Sequence, residues 1–449
     1  MPSRPSAYVV AVDMGYGHER AAYALRDLTG GEVIIANNYP GIPEGDRELW
    51  EQGRRYYETV SRLQPLPVVG RALFEVLVDQ FQEIDHFYPR RDLSAPSIQL
   101  RQVYHSICHN NQGRHLVEML RQRSRRRPAP PFVSTFFLPA FAAEEFDYPG
   151  DIYIVVCDAD IARVWASRDP RKSRIRYFAP NGRVVERLRL YGVRRERISL
   201  TGFPLPKELV GGPRAAIAKH CLGVRIANLD PNGYFRLRYG ATLRRQLGVH
   251  AHDRPTRPVT VTFAVGGAGA QRRIGIELLR SLRARIRRGE IRLQLVAGTR
   301  RDLQREFTKE IRAVGLGDAF GDGVRILYES RRWDYFAAFS QAMHETDILW
   351  TKPSELSFYT GLGIPIIMAA PIGSQEDFNR EWLRQVGGGI DQLDPRHAGE
   401  WLWDWIQSGA LARMAWNGYI EAPTHGTYRL EAIIRGARDG ELEPLPLVV

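Results

Sequence analysis

Cysteine is scarce in this chain of 449 residues: Cys108, Cys157 and Cys221 stand far apart. Such spacing excludes a disulfide framework and any CxxC-type zinc site, and it fits a reducing compartment. Lysine is almost absent, at 172, 207, 219, 309 and 352 only, so arginine supplies nearly all of the positive charge behind a net +12. That skew is equally consistent with genomic codon bias and with a basic surface for phosphates, nucleic acid or anionic lipid. No stretch approaches 18 uninterrupted apolar residues. A spanning helix is therefore not expected, and the opening "MPSRPSAYVVAVD" has an apolar run too short and too acidic at its end for a signal peptide. A Walker loop and a complete GxGxxG are missing, as are short repeats and low-complexity tracts. Arginines spread through the sequence, without interleaved stacking aromatics, argue against nucleic-acid recognition.

What is present is an alternation of apolar runs and amphipathic stretches. "AYVVAVD", "EVIIAN", "PFVSTFF" and "DIYIVVCD" read as buried strands, and "HERAAYALRDL" as a helix. This is the pattern of a parallel sheet with crossover helices. Between about 44 and 127 it breaks into helical segments, including "RELWEQGRRYYETVSRL" and "GRALFEVLVDQFQEI". They are too long for a simple connection and read as a helical insertion. A second series follows, with "PVTVTFAVGGAGAQ", "IRLQLVAGT", "GVRILYES", "TDILWTKPS" and "IPIIMAAP" as strand candidates. Pro255 and Pro258 make "GVHAHDRPTRP", residues 248–258, the expected linker. Two domains are thus expected, 1–248 with the insertion and 249–449. The C-terminal helices are expected to pack back on the first domain.

Ligands of doubly wound sheets bind beyond the carboxyl ends of the strands. Two strand-to-glycine junctions qualify. In "DMGYGHERAA", Gly15 and Gly17 permit close backbone approach, and His18 falls on the first helical turn, where an anion is favoured. In "AVGGAGAQ", Gly266, Gly267 and Gly269 can turn N–H groups toward phosphate oxygens. Each loop could equally serve tight strand-helix packing. Asp158 ends an apolar strand, where a carboxylate is costly unless exposed or paired. The "DAD" of residues 158–160 matches a three-residue metal signature, yet no metal is assigned. Thr351 and Lys352 follow a strand, where a lysine could meet phosphate or simply be solvated. The basic run 121–128 suits a helix C-terminus. His105, Cys108 and His109 have helical spacing but lack a second ligand pair.

Taken with their surroundings, these loops resemble the two-domain glycosyltransferases that include monogalactosyldiacylglycerol synthase and the N-acetylglucosaminyltransferase forming lipid II. "GYGHERAA" is similar to that family's N-terminal Gly-Gly-His loop. "CDADIARVW…YFAP…GVRRERISLTGFPL" resembles the stretch crossing its first domain, and the glycine loop at 266 is the third likeness. "DILWTKPSELSFYTGLGIPIIMAAPIGSQEDFN" is similar to its donor-sugar region, with Gln375, Glu376 and Asn379 matching the Gln-Glu-…-Asn pattern. The likeness covers most of 7–22, 155–205 and 260–385, but neither the insertion nor residues 210–245. One departure falls in "KPSELSFYTGLG": Phe358 stands where the family has a ribose-contacting glutamate, and Glu355 is the nearby carboxylate.

The resemblance implies an α/β protein of two facing Rossmann-like domains, with a nucleotide sugar held by the second and an acceptor by the first. It implies no cofactor and no essential metal, the nucleotide sugar being a co-substrate. Catalysis would fall to His18 or Asp158 as base, diphosphate binding to Gly266, Gly267, Gly269 and Lys352, and ribose or sugar binding to Glu355, Gln375, Glu376 and Asn379. Gly15 and Gly17 would shape the acceptor loop. The expected activity is inverting transfer of a hexose or N-acetylhexosamine, from UDP most simply, to a lipid or lipid-linked acceptor. A cytoplasmic site is expected, with peripheral contact to anionic membrane through the helices of 44–127. A nucleotide-sugar 2-epimerase and a non-catalytic nucleotide-sugar-binding protein on the same scaffold are the alternatives.

Overall fold

The computed structural model describes residues 6–30, 32–63, 84–124, 128–264, 271–371, 373–437 and 445. Its strands form two six-stranded sheets, every pairing parallel. The first holds β1 (Tyr8–Ala11), β2 (Ile34–Ile35), β3 (Phe132–Ser134), β4 (Ile152–Val155), β5 (Arg176–Ala179) and β6 (Ile198–Leu200), in the order β2-β1-β3-β4-β5-β6. The second holds β7 (Val259–Ala264), β8 (Ile291–Gly298), β9 (Val324–Tyr328), β10 (Ile348–Thr351), β11 (Ile366–Met368) and β12 (Gly389–Asp391), in the order β12-β11-β10-β7-β8-β9. Both are Rossmann-like, as the alternating pattern and the resemblance imply. Strand order reverses between β1 and β3 in one and between β7 and β10 in the other.

Burial explains the strands. Every residue of β4 and β7 is buried, as parallel strands covered by helices on both faces require. Helices follow their apolar stripes: in Arg272–Arg287 the buried residues include Leu278, Leu279, Leu282 and Ile286, while Arg285 and Arg287 fall in the last turn, where cations suit the dipole. Side-chain caps fix other starts. Ser97 accepts from the Leu100 amide at 3.2 Å and Asn181 from that of Val184 at 2.9 Å.

The chain divides into two compact units, and not at 248. Unit 1 is Met1–Pro204 with Ile372–Phe378 and Gly426–Val449; unit 2 is Leu205–Pro371 with Asn379–His425. The expected linker therefore lies inside the second unit. The physical reason is the pair of helices Ala216–Asn228 and Tyr234–Leu247, whose Leu222, Ile226, Phe235, Leu243 and Leu247 belong to the core around β7 and β8. Contact is close enough that a Cβ on Gly223 would sit 1.7 Å from the His250 carbonyl oxygen. Helix Gly426–Ile434 groups with the first unit, whereas Ala398–Gln407 and Ala410–Glu421 group with the second.

The insertion is seen as helices Glu44–Leu63, Ile98–Asn110 and Arg114–Arg123; most of the segment "GRALFEVLVDQFQEI" lies outside the described residues. Among the described residues no helix is long and apolar enough to cross a membrane.

Candidate functional site

At the first switch point β1 ends at Ala11 and helix Tyr16–Ala24 begins after Gly15. Gly15 has φ 112 and ψ 169, a conformation closed to most side chains. A Cβ built there meets nothing within 4 Å. The positive φ is what the turn requires of this position, and the space beside it is open. Gly17 lies within the helix. Asn37, just beyond β2, clamps the turn from the side: its Oδ1 accepts from the Asp13 amide at 2.8 Å and its Nδ2 donates to the Asp13 carbonyl at 3.1 Å.

His18 is half-buried on the third helical position, and its Nδ1 lies 2.7 Å from the carbonyl oxygen of Thr135, the residue after β3. A carbonyl only accepts, so Nδ1 carries the proton and the neutral ring has its basic lone pair on Nε2. Phe136 meets the ring edge-on at 5.0 Å and Trp165 lies at 6.1 Å. Trp50, from the insertion, reaches the same aromatic group at 6.4 Å from Phe136. The histidine is therefore positioned by the two strands flanking the switch point. Thr135, Phe136 and Trp165 were not singled out in the sequence: the first two sit in the apolar run "STFF" and Trp165 closes "CDADIARVW", and neither stretch marks them as neighbours of His18.

Asp158 lies half-buried three residues past β4, on the same carboxyl edge as His18. Its neighbour Asp160 is fully buried and has a different task. Its carboxylate takes two bonds from Arg187 at 2.8 Å and one from Arg183 at 3.0 Å. Three cationic N–H donors leave that half of the "DAD" as an internal ion pair. Asn181 also donates to the Ala159 carbonyl at 2.9 Å, pinning the loop that carries Asp158.

In the second unit, Gly266, Gly267 and Gly269 lie outside the described residues. What is described is their frame: β7 ends at Ala264 and the next helix begins at Arg272. Gln271, at the helix cap, donates through Nε2 to the Ala370 carbonyl at 2.9 Å. Its Oε1 is buried without a hydrogen-bond partner. Thr351 pairs in register with Ala264, so Lys352, half-buried, leaves the sheet level with the end of β7.

The donor-region residues fall into distinct settings. Glu355 opens a 3-10 helix, Glu355–Leu362, and is half-buried. Phe358 is buried against Trp382, ring centroids 4.8 Å apart, so this position belongs to the core and offers no group to a ribose. Gln375, Glu376 and Asn379 are on helix Ser374–Gln385 and not in a loop. The division between units falls within that helix, leaving Gln375 and Glu376 with the first and Asn379 with the second. Asn379 is fully buried, and its Nδ2 lies 3.4 Å from the Pro353 carbonyl. Arg380 next to it grips Asp391, at the end of β12, through two bonds of 2.6 Å. That guanidinium holds the Asp391 carboxyl below the usual carboxylate range.

Other candidates have local roles. Arg121 donates to the Phe146 and Asp147 carbonyls. His105 and His109 stack at 4.3 Å, and Cys108 donates to Glu145 at 3.4 Å. Burial pushes the Cys221 thiol up.

Residues 249–429, less than half of the chain, match a family described as a domain of unknown function (DUF6938). No curated protein matches the sequence. Solved structures similar in backbone path include S. aureus MnaA with UDP, at 11% identity and TM-score 0.46 over 96% of each chain. The glycotransferase of kitacinnamycin has 13% identity and TM-score 0.46, covering 97% of this chain and 99% of that one. MurG of Acinetobacter baumannii has 11% identity and TM-score 0.44, covering 96% and 100%. The two Rossmann-like sheets stand on the strand order of this chain itself.

Proposed function

We propose that the protein is an inverting glycosyltransferase that moves a hexose or N-acetylhexosamine from a nucleotide diphosphate sugar, UDP-linked in the simplest case, to a lipid or lipid-linked acceptor. The observation that carries the reading is His18, held at a topological switch point in the tautomer whose Nε2 is basic. In this reaction the acceptor oxygen attacks the anomeric carbon, the bond from that carbon to the diphosphate breaks, and the hydroxyl proton passes to His18 Nε2. Asp158 is the second candidate for that proton. The leaving diphosphate gains one negative charge, on the oxygen released from the anomeric carbon, and that charge must be stabilised. Backbone N–H groups at Gly266, Gly267 and Gly269 would meet it, with Lys352 beside them. Glu355, Gln375 and Glu376 are the proposed ribose and sugar contacts, and Asn379, fully buried, serves by holding the helix that carries Gln375 and Glu376. No step calls for a metal or a further cofactor.

The experiment is a titration of the full chain with UDP and a panel of UDP-sugars, followed by hydrolysis and transfer assays on the sugar that binds. Saturable binding and transfer to a lipid-linked hydroxyl are expected, and Gly267→Val should weaken binding without unfolding the chain. Absence of nucleotide binding sinks the reading. A second reading rests on Phe358, which is sealed in the core at the position where the resembling family has a ribose-contacting glutamate: a protein that binds the nucleotide sugar without transferring it. Binding with neither hydrolysis nor transfer would favour that one.

A further inference from the structure

The first sheet has a second face. Ile154, Tyr177 and Ile198 belong to the main core of the first unit, so by alternation Tyr153 and Phe178 point the other way. Their rings stack there, centroids 5.0 Å apart and 3° from parallel. Helix Gly426–Ile434 returns along this side. It starts against the chain past β6, where a Cβ on Gly426 would stand 2.0 Å from the Phe203 carbonyl oxygen, and it ends at Ile433 and Ile434, both buried. At that end a cavity of about 640 Å³ opens beside the amino ends of β4, β5 and β6, lined by Tyr153, Ile198, Ser199, Ile433 and Ile434. His18 and Asp158 lie at the opposite, carboxyl edge of the same sheet.

The mouth of the cavity carries Arg176, Arg195, Asp151 and Glu196, all exposed. Glu196 is already paired with Arg194 at 3.2 Å. Arg176 and Arg195 have no carboxylate partner among the described residues, and Arg195 donates through Nη1 to the Ile198 carbonyl at 2.6 Å. Two guanidinium groups therefore stand against one remaining carboxylate, Asp151, and the mouth is net positive. Arg197, on the same loop, adds a buried Nε without a hydrogen-bond partner. Burial pushes the Tyr153 phenol up, with Asp151 adding to the effect and Arg176 opposing it. The hydroxyl thus keeps its proton at neutral pH and can donate.

We infer that this cavity binds a small monocarboxylate with an apolar body, at a site separate from His18 and from the glycine loops. A guanidinium fork meets a carboxylate through two parallel hydrogen bonds, which suits Arg176 and Arg195 to the head of such a ligand. Ile198, Ile433 and Ile434 offer its hydrocarbon a dry wall, and the volume is that of an ordinary small-molecule pocket. A phosphate ester fits worse, because its second negative charge would face Asp151 and Glu196. An amine would meet two unpaired arginines. No residue of the cavity takes part in the nucleotide-sugar reading above.

The test is calorimetric titration of the full chain with phenylacetate and with isocaproate, against phenethylamine and inorganic phosphate as controls of opposite charge and of no apolar body. Saturable binding of both carboxylates, with a raised melting temperature and no response to either control, is expected. Arg176→Gln combined with Arg195→Gln should weaken binding about tenfold or more, through the loss of charge-assisted hydrogen bonds. Both side chains are exposed, so the melting temperature of the unliganded chain should not move. Ser199→Phe should fill the cavity and remove binding; if that chain does not fold, the arginine variant decides alone. Absence of saturable binding by either carboxylate overturns the inference. So does wild-type affinity in the arginine variant, or binding of phenethylamine or phosphate as tight as that of the carboxylates. Displacement of phenylacetate by UDP would overturn it as well, since the ligand would then occupy the nucleotide site. Failure of UDP-sugars to bind while phenylacetate still does counts against the glycosyltransferase reading alone.

Discussion

Each unit buries an aspartate against arginine next to a strand of its sheet, but at opposite edges. In the first, Asp160 and Arg187, both fully buried, lie beyond the carboxyl end of β4, two residues from Asp158. In the second, Asp347 immediately precedes β10, at the amino end. There it meets Arg257 at 2.5 Å, accepts from the Thr260 amide at 2.8 Å, and lies near Arg225, whose guanidinium donates to the carbonyls of Thr346, Leu362 and Gly363. Burial pushes the Asp347 carboxyl above its usual range while Arg257 pulls it back. The same chemistry thus braces a candidate site in one unit and anchors a helix far along the sheet from it in the other.

The largest effects test that contrast. Asp347→Ala and Asp160→Ala should each destabilise the protein by about 3–5 kcal/mol, because a buried guanidinium loses its counter-charge. In chemical denaturation both transitions move, but only Asp160→Ala should also lower turnover per folded molecule, through the loop carrying Asp158. Equal activity in the two folded variants would erase the distinction between the edges.

His18→Ala sharpens it next. Turnover should fall about a hundredfold or more, the usual size of a general-base contribution, with donor affinity and melting temperature near wild type. Loss of stability with full activity would reduce His18 to a packing residue and leave Asp158 as the base.

The smallest effect is expected at Asp391. Its carboxyl is held low by Arg380, so the stabilisation is present at neutral pH and above the unfolded pKa, roughly 4. It is lost as pH falls through the depressed folded value. The pair is part-exposed and water screens it, so Asp391→Asn should lower the melting temperature slightly at pH 7 and not at all in strong acid. A gap between the two proteins that persists at pH 2 would contradict this.

What could be read from sequence follows from range. "GYGH" after an apolar run announced a strand, a turn and a histidine on a helix, because all three are local. Thr135, which orients that histidine, is 117 positions away and is marked by nothing but the end of a strand. The strand at Gly389–Asp391 went unread because "GGGID" has too little apolar content to show a period. The boundary at 248 was misplaced for a similar reason: Pro255 and Pro258 mark a break in the chain, whereas the packing of Leu222 and Phe235 decides which core a helix joins. "DAD" shows the finer limit. Nothing in three residues says which aspartate the turn will direct to Arg187.

The bond from His18 to the Thr135 carbonyl also bears on how the site tolerates change. Enzymes that orient a histidine with a carboxylate can lose the orientation to one substitution. Here the acceptor is a main-chain oxygen, which every amino acid supplies. Full randomisation at position 135 should therefore retain the ring tautomer in every variant that still forms β3, making this half of the site robust to drift by construction.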